Sequence, residues 1–147
     1  MLKKYSLSLF LAAVFTVSIY SCRKKHDQSE IITAMKRYDQ LIQKMDADSI
    51  ALMFTSDGNM ENIVHGRDSI RRFLARFKGK GIKVLNTGST TQSIILNADS
   101  AVQTGSYKQT DKVGDKDTVN VKGTYKSTWH WDGNRWLIRR MITFPAK

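Results

Sequence analysis

Hydrophobic and polar positions alternate most regularly near the end of the chain, from Val119 to Phe144. Val119, Val121, Gly123, Tyr125, Ser127, Trp129 and Trp131 take one side, and Asn120, Lys122, Thr124, Lys126, Thr128 and His130 the other. That period of two marks a half-buried strand. Asp132, Gly133 and Asn134 accept the positive φ of a tight hairpin, and Arg135 onward returns as a second strand. A two-residue loop at Gly133 and Asn134 pairs Trp131 with Trp136, Trp129 with Ile138, Ser127 with Arg140 and Tyr125 with Ile142. The three tryptophans of the chain all fall on the inward face of this ribbon. Arg140 is thereby expected among aromatics, where an unpaired charge is costly and calls for a partner or a ligand.

Upstream the period changes. Asp27 with Glu30 three residues on has the form of a capping box, and Ile31, Met35, Tyr38, Ile42 and Met45 recur at helical spacing, which predicts a helix to about Met45. A second, short helix runs from Asp46 or Asp48 through Ile50, Leu52, Met53 and Phe54 until Ser56, Asp57 and Gly58 break it. Asn59 to Val64 is a short strand, and His65 and Gly66 make a turn. A third helix spans Arg67 to Phe77, with Ile70, Phe73, Leu74 and Phe77 inward, and Gly79 and Gly81 stop it. Strands over Ile82 to Leu96 and Ala101 to Thr110 follow, then a charged connection from Asp111 to Asp117. Helices in front and antiparallel strands behind describe an α+β domain: a strongly curved sheet with three helices on its concave face, a cone with room for a pocket.

A length of 147 residues leaves room for one domain. Met1 to Tyr20 carries Lys3 and Lys4 ahead of an apolar run of signal-peptide length, too short to span a bilayer. The run ends at Ser21 and Cys22, the only cysteine. This resembles the lipobox of bacterial lipoproteins, which implies a signal peptide over residues 1–21, acylation at Cys22, a tether over 22–29 and the folded domain over 30–147. The same resemblance implies export and anchoring in the cell envelope through several acyl chains. The alternative is a conventional signal followed by a buried cysteine. With Cys22 lipidated, no thiol is left for a disulfide, a metal site or a nucleophile, and no cofactor is expected. The net charge of +11 invites a nucleic-acid reading, but the basic residues are dispersed and the chain reads as exported. The densest cluster, from Arg67 to Lys83, reads as a solvated helix face.

Tyr38 on the first helix, Asp46 and Ile50 in the second, Asp57 after it, the run His65, Gly66, Arg67 with Ile70 and Phe73, and the closing aromatic ribbon together resemble the nuclear transport factor 2-like superfamily. That group includes ketosteroid isomerases and SnoaL-type cyclases, and the resemblance spans about Glu30 to Phe144. On the isomerases, the oxyanion-donating tyrosine falls on Tyr38, the general-base aspartate on Asn62 and the protonated aspartic acid on Ser127. Asparagine cannot take a proton from a carbon acid, so the resemblance implies an inherited pocket without that chemistry. Three functions compete. The first is a non-catalytic module holding a small, partly apolar, anionic ligand such as a carboxylate. Arg140, Asn62 and Ser127 would bind the polar end, Tyr125 and Trp129 would cover the apolar body, and the Tyr38 hydroxyl would donate to the ligand. The second is a cyclase-, dehydratase- or isomerase-type enzyme using Asp57, Glu61 or His65. The third is a homodimeric interaction domain with a filled pocket. Internal neutralisation of Arg140 by Glu61 or Asp57 is the alternative to a ligand there.

The lipobox reading makes one direct prediction. Metabolic labelling with a palmitate analogue should mark the wild-type chain and leave Cys22→Ser unlabelled; equal labelling of both would remove the lipid anchor.

Overall fold

The computed structural model describes residues 25–114 and 117–146, so the expected leader and the lipidated Cys22 lie outside the described residues. Helix α1 (Gln28–Lys44) begins where Asp27 accepts the Ser29 amide at 2.7 Å, and it ends at Met45, whose left-handed backbone turns its amide onto the Ile42 and Leu41 carbonyls. The folded part starts before the expected boundary. His26 is 9% exposed, with its ring 4.3 Å from that of Trp131 and 5.0 Å from that of Trp136. Glu30 ties this corner together: its carboxylate lies 2.7 Å from His26 Nδ1 and accepts Trp136 Nε1–H at 2.8 Å. The segment expected as tether thus includes residues that cover the closed end of the tryptophan hairpin.

Helix α2 (Ala47–Leu52) is capped by Asp46 through the Ser49 amide at 3.1 Å. Phe54 was expected in that helix but opens strand β1 (Phe54–Met60). The run Ser56, Asp57, Gly58, expected as a helix breaker, lies inside the strand. Here the main chain winds so tightly that a Cβ on Gly58 would stand 2.8 Å from Phe54 Cβ. A turn at residues 61–63 leads to β2 (Val64–His65), and α3 (Arg67–Gly79) follows the left-handed Gly66. The remaining strands are β3 (Ile82–Leu96), β4 (Ser100–Val113), β5 (Asp117–Trp131) and β6 (Trp136–Pro145). Most of the expected charged connection is strand, because Asp111 pairs with Val119 and Val113 with Asp117.

The six strands form one curved sheet in the order β2-β1-β6-β5-β4-β3. Neighbours are antiparallel except β1 and β6, which run parallel, a departure from the wholly antiparallel sheet expected from hairpins alone. The helices cover the concave face. Ile31 and Met35 of α1, Ile50 of α2, and Ile70 and Leu74 of α3 form a single buried cluster with Phe54, Tyr125, Trp129, Ile138 and Met141. That burial is the period-3.6 stripe of each helix meeting the period-2 face of the sheet.

The last hairpin holds the main correction. Near the turn the expected pairs form: Trp131 with Trp136 and Trp129 with Ile138. A β-bulge then intervenes. Arg140 pairs with Thr128, Met141 with Ser127 and Thr143 with Tyr125, so one residue is added to β6 and the later register shifts. Both Arg139 and Arg140 are exposed, and Met141 is buried at 2% exposure. Burying an unpaired guanidinium among aromatics costs several kcal/mol, on the order of a lost buried charge pair, and a bulge at the arginine doublet avoids it.

Across β4 and β5, Gly105 faces Tyr125, and a Cβ there would collide with the Thr90 carbonyl and lie 2.7 Å from Tyr125 Cε1. Glycine lets the ring lie flat across the strand. Gly105→Ala should lower stability by about 1–3 kcal/mol in urea denaturation. Gly88→Ala, which meets nothing within 4 Å, should stay within about 0.5 kcal/mol of wild type. Equal losses in the two variants would refute the close-approach argument.

Candidate functional site

Between α1, α3 and the concave sheet lies a cavity of about 600 Å³. Its wall is mainly aliphatic and aromatic, including Met35, Ile42, Phe73, Phe77, Val84 and Val121. The polar groups on it include Tyr38 and Asp39 from α1, Ser89 from β3, Gln109 and Asp111 from β4, Tyr125 from β5 and Thr143 from β6. Glu61 joins them from the turn after β1. Three carboxylates therefore line the cavity, and among the described residues that line it there is no lysine, arginine or histidine.

Each carboxylate is held by neutral donors. Asp39 Oδ2 accepts the Ser89 hydroxyl at 2.6 Å and the Ser89 amide at 3.0 Å. Burial pushes the Asp39 carboxyl above its ordinary range, and the two Ser89 bonds oppose that shift. Both oxygens of Glu61 accept the Thr143 amide, at 3.1 and 3.0 Å, while the Glu61 amide donates to the Met141 carbonyl at 2.8 Å. Asp111 accepts Gln109 Nε2–H at 2.9 and 3.0 Å.

Glu61 and Asn62 both have left-handed backbones, with φ of 57° and 54°. The Ile63 amide closes the turn on the Met60 carbonyl at 3.1 Å. Asparagine tolerates that region and glutamate does so at a cost of roughly 1 kcal/mol or more. The conformation turns Glu61 onto the cavity wall and sends Asn62 away from it.

Tyr38 is half-buried on the wall, with its ring edge-on to that of Phe54 at a centroid distance of 6.2 Å. Burial pushes its phenol well above the ordinary value, and the charges of Glu61 and then Asp39 add to the shift. Tyr125 is 3% exposed, and its hydroxyl lies near those of Thr91 and Ser89 without a close hydrogen bond to either. Burial raises this phenol too, with Thr91 and Ser89 nearby opposing. Both phenols stay protonated at neutral pH and can donate.

Of the residues expected to bind a ligand, Tyr38 and Tyr125 therefore line the cavity and the other four stand elsewhere. Arg140 is on the outer face, where its Nε and Nη2 donate to Asn62 Oδ1 at 3.0 and 2.6 Å. Asn62 is exposed and occupied by that contact. The expected anion clamp at the polar end of the pocket is thus a surface pair that pins the turn to β6. Ser127 and Trp129 are fully buried in a polar knot behind the cavity. Trp129 Nε1–H donates to Gln103 Oε1 at 3.0 Å and to Ser127 Oγ at 2.9 Å, and Gln103 Nε2–H donates to Thr91 Oγ1 at 2.8 Å. They satisfy one another and are structural.

Among the acid–base candidates, Asp57 and His65 are exposed and off the wall, and only Glu61 reaches it. Arg67 of the His-Gly-Arg run binds the Phe54 carbonyl at 3.1 and 2.7 Å, a bond between α3 and β1. Sequence reasoning missed Asp39, Ser89 and Asp111. The signals available were an acid beside the tyrosine of the first helix and the inward parity of positions 89 and 111 in their strands.

The raised Asp39 carboxyl has a pH consequence. A group whose folded pKa exceeds its unfolded value favours folding when protonated, and that contribution is lost as pH rises through the folded pKa. Between about pH 3.5 and 7, wild type should therefore lose stability relative to Asp39→Asn, which keeps an oxygen acceptor for Ser89. Urea midpoints of both proteins across that range measure it. Parallel curves, or a relative gain by wild type, would contradict the assignment.

Known proteins place this geometry. The sequence profile of the SnoaL-like domain matches residues 23–142. No curated protein matches the chain in sequence. Solved structures with the same fold include a candidate scytalone dehydratase from Novosphingobium aromaticivorans DSM 12444, with a TM-score of 0.69 at 15% identity over 81% of this chain and 83% of that one. A Catenulispora acidiphila protein in complex with S-DNPA has a TM-score of 0.67 at 14% identity over 80% and 91%. A candidate calcium/calmodulin dependent protein kinase II association domain from Xanthomonas campestris has 0.64 at 19% identity over 83% and 89%. At such identities these likenesses establish the fold alone. With the profile spanning most of its length, the chain belongs to the SnoaL-like domain family.

Proposed function

We propose that this domain is a binding module that holds a small, largely apolar molecule in the concave cavity and leaves it chemically unchanged. The observation that carries the reading is the cavity itself: about 600 Å³ of mostly apolar wall with a few convergent polar groups. That volume falls in the range of small-molecule sites, about 300–1,000 Å³. An interaction domain with a filled pocket has no use for such a space. The polar end of the ligand would face Tyr38, Glu61 and Asp39, not Arg140, so the carboxylate ligand expected from the hairpin register is withdrawn. Acylation of Cys22 would hold the module at a membrane surface of the cell envelope.

One observation favours a second reading, an enzyme of the cyclase, dehydratase or isomerase kind. Glu61 brings a carboxylate to the wall beside a phenol, one residue ahead of the position where the isomerases carry their base. Against it, both Glu61 oxygens already accept the Thr143 amide, a bond suited to holding a carboxylate in place.

The neutral fluorophore N-phenyl-1-naphthylamine tests the binding reading. Wild type should give saturable, one-to-one enhancement. Val121→Trp, which fills the cavity from β5, should weaken the affinity about tenfold or more, equivalent to at least about 1.4 kcal/mol. Indistinguishable titrations for the two proteins would mean that the probe, and the function, lie elsewhere.

A further inference from the structure

We propose that the ligand is a cation: an amine whose protonated nitrogen sits between Glu61 and Asp39, with its apolar body among the aromatic and aliphatic residues of the wall. The proposal rests on the binding reading above and names the ligand's chemical class.

Charge distribution is its first support. The chain carries 24 lysines and arginines against 13 acids, so an arbitrary patch of its surface should be basic. The cavity inverts that ratio, with Asp39, Glu61 and Asp111 on its wall and no basic side chain among the described residues lining it. The hydrogen bonds that hold these acids come from the Ser89 hydroxyl, main-chain amides and the Gln109 amide, all neutral donors. Such bonds orient a carboxylate and leave its charge in place. In an apolar enclosure an uncompensated negative charge is costly, and an ammonium group entering between two of them relieves both.

A second support is the Tyr125 hydroxyl, buried on the cavity wall beside the Thr91 and Ser89 hydroxyls but without a close hydrogen bond to either. Unsatisfied buried hydroxyls are uncommon and cost about 1–3 kcal/mol. A phenol is donor and acceptor at once, so it can accept from an ammonium that the carboxylates attract. Glu61 adds a third support, since a non-glycine residue is held at φ 57° to bring its carboxylate to this wall. The tyrosine and phenylalanine rings complete the match, because aromatic faces attract an organic cation by about 0.5–2 kcal/mol. A compact metal ion fits less well: among the described residues no cluster of three metal-ligating side chains exists.

Three ligands of one shape separate the possibilities. Isothermal titration of the intact protein at neutral pH would compare 4-phenylbutylamine, 4-phenylbutan-1-ol and 4-phenylbutyrate. The amine should bind about tenfold tighter than the alcohol, the scale of one well-placed charge interaction of about 1.4 kcal/mol, and the carboxylate should bind weakest. Glu61→Gln keeps an acceptor for the Thr143 amide, and Asp39→Asn keeps one for Ser89. Each should bring the amine to near the alcohol's affinity while the alcohol is unchanged. Equal binding of wild type to amine and alcohol, or tighter binding of the carboxylate, would overturn the cation and leave the apolar pocket standing. No binding of any of the three, with no response to N-phenyl-1-naphthylamine, would remove the binding reading and the cation with it. Amine preference retained in both variants would place the charge recognition outside Glu61 and Asp39 and so refute the proposed seat.

Discussion

The bulge opposite Thr128 governs what the cavity is. Up to Ile138, strand β6 follows simple alternation with its hairpin partner; beyond it, Arg139 and Arg140 share one position and Met141 takes the inward place. A regular ladder would drive a guanidinium into a cavity that also holds three carboxylates, giving a neutralised, filled core. The added residue instead sends both arginines outward and leaves the acids with neutral partners. It also aims the end of β6 at the turn after β1, where Glu61 receives the Thr143 amide and Asn62 receives Arg140. One local irregularity in the ladder thus sets the polarity of the interior.

That turn is the second fixed point. Strand β1 runs parallel to β6, so the two could not be joined by a short hairpin and must meet through tertiary packing. The contact between Arg140 and Asn62 bridges 78 positions, and the left-handed conformations of Glu61 and Asn62 divide their side chains between inside and outside. Asn62 is therefore a surface residue, and its neighbour Glu61 supplies the carboxylate on the cavity wall.

The interior also keeps two kinds of polar group apart. Gln103, Ser127, Thr91 and Trp129 form a closed knot in which hydrogen-bonding capacity is met within the protein, so it fixes strand register and core packing. The cavity wall is different: the Tyr125 hydroxyl makes no close hydrogen bond, and Asp39 and Glu61 have charge that no cation lining the wall among the described residues counters. Two residues apart on the same inward face of β5, Ser127 and Tyr125 fall on opposite sides of that division. Gly105 draws the line, since only a residue without Cβ lets the Tyr125 ring cross β4.

The periodicities of the chain determined the α+β class, the three helices and the long strands, with α1, α3 and β3 at nearly their observed limits. Asp27, Asp46 and the turn at Gly133 were legible because capping and turn chemistry act between residues a few positions apart. The inward side of β5 was legible for the same reason, which is why Tyr125, Ser127 and Trp129 were all placed inside. Inside, however, comprises both core and cavity, and alternation does not distinguish them. Phe54 read as helix because its apolar neighbours continue the helical run, whereas its pairing with Ile138 is made across the whole domain. The bulge at Arg139 and Arg140, the inward turn of Glu61 and the meeting of Asp39 with Ser89 were decided only by the tertiary structure. Each depends on whether distant backbone and charges can be satisfied together, and neighbours along the sequence carry no information about that balance.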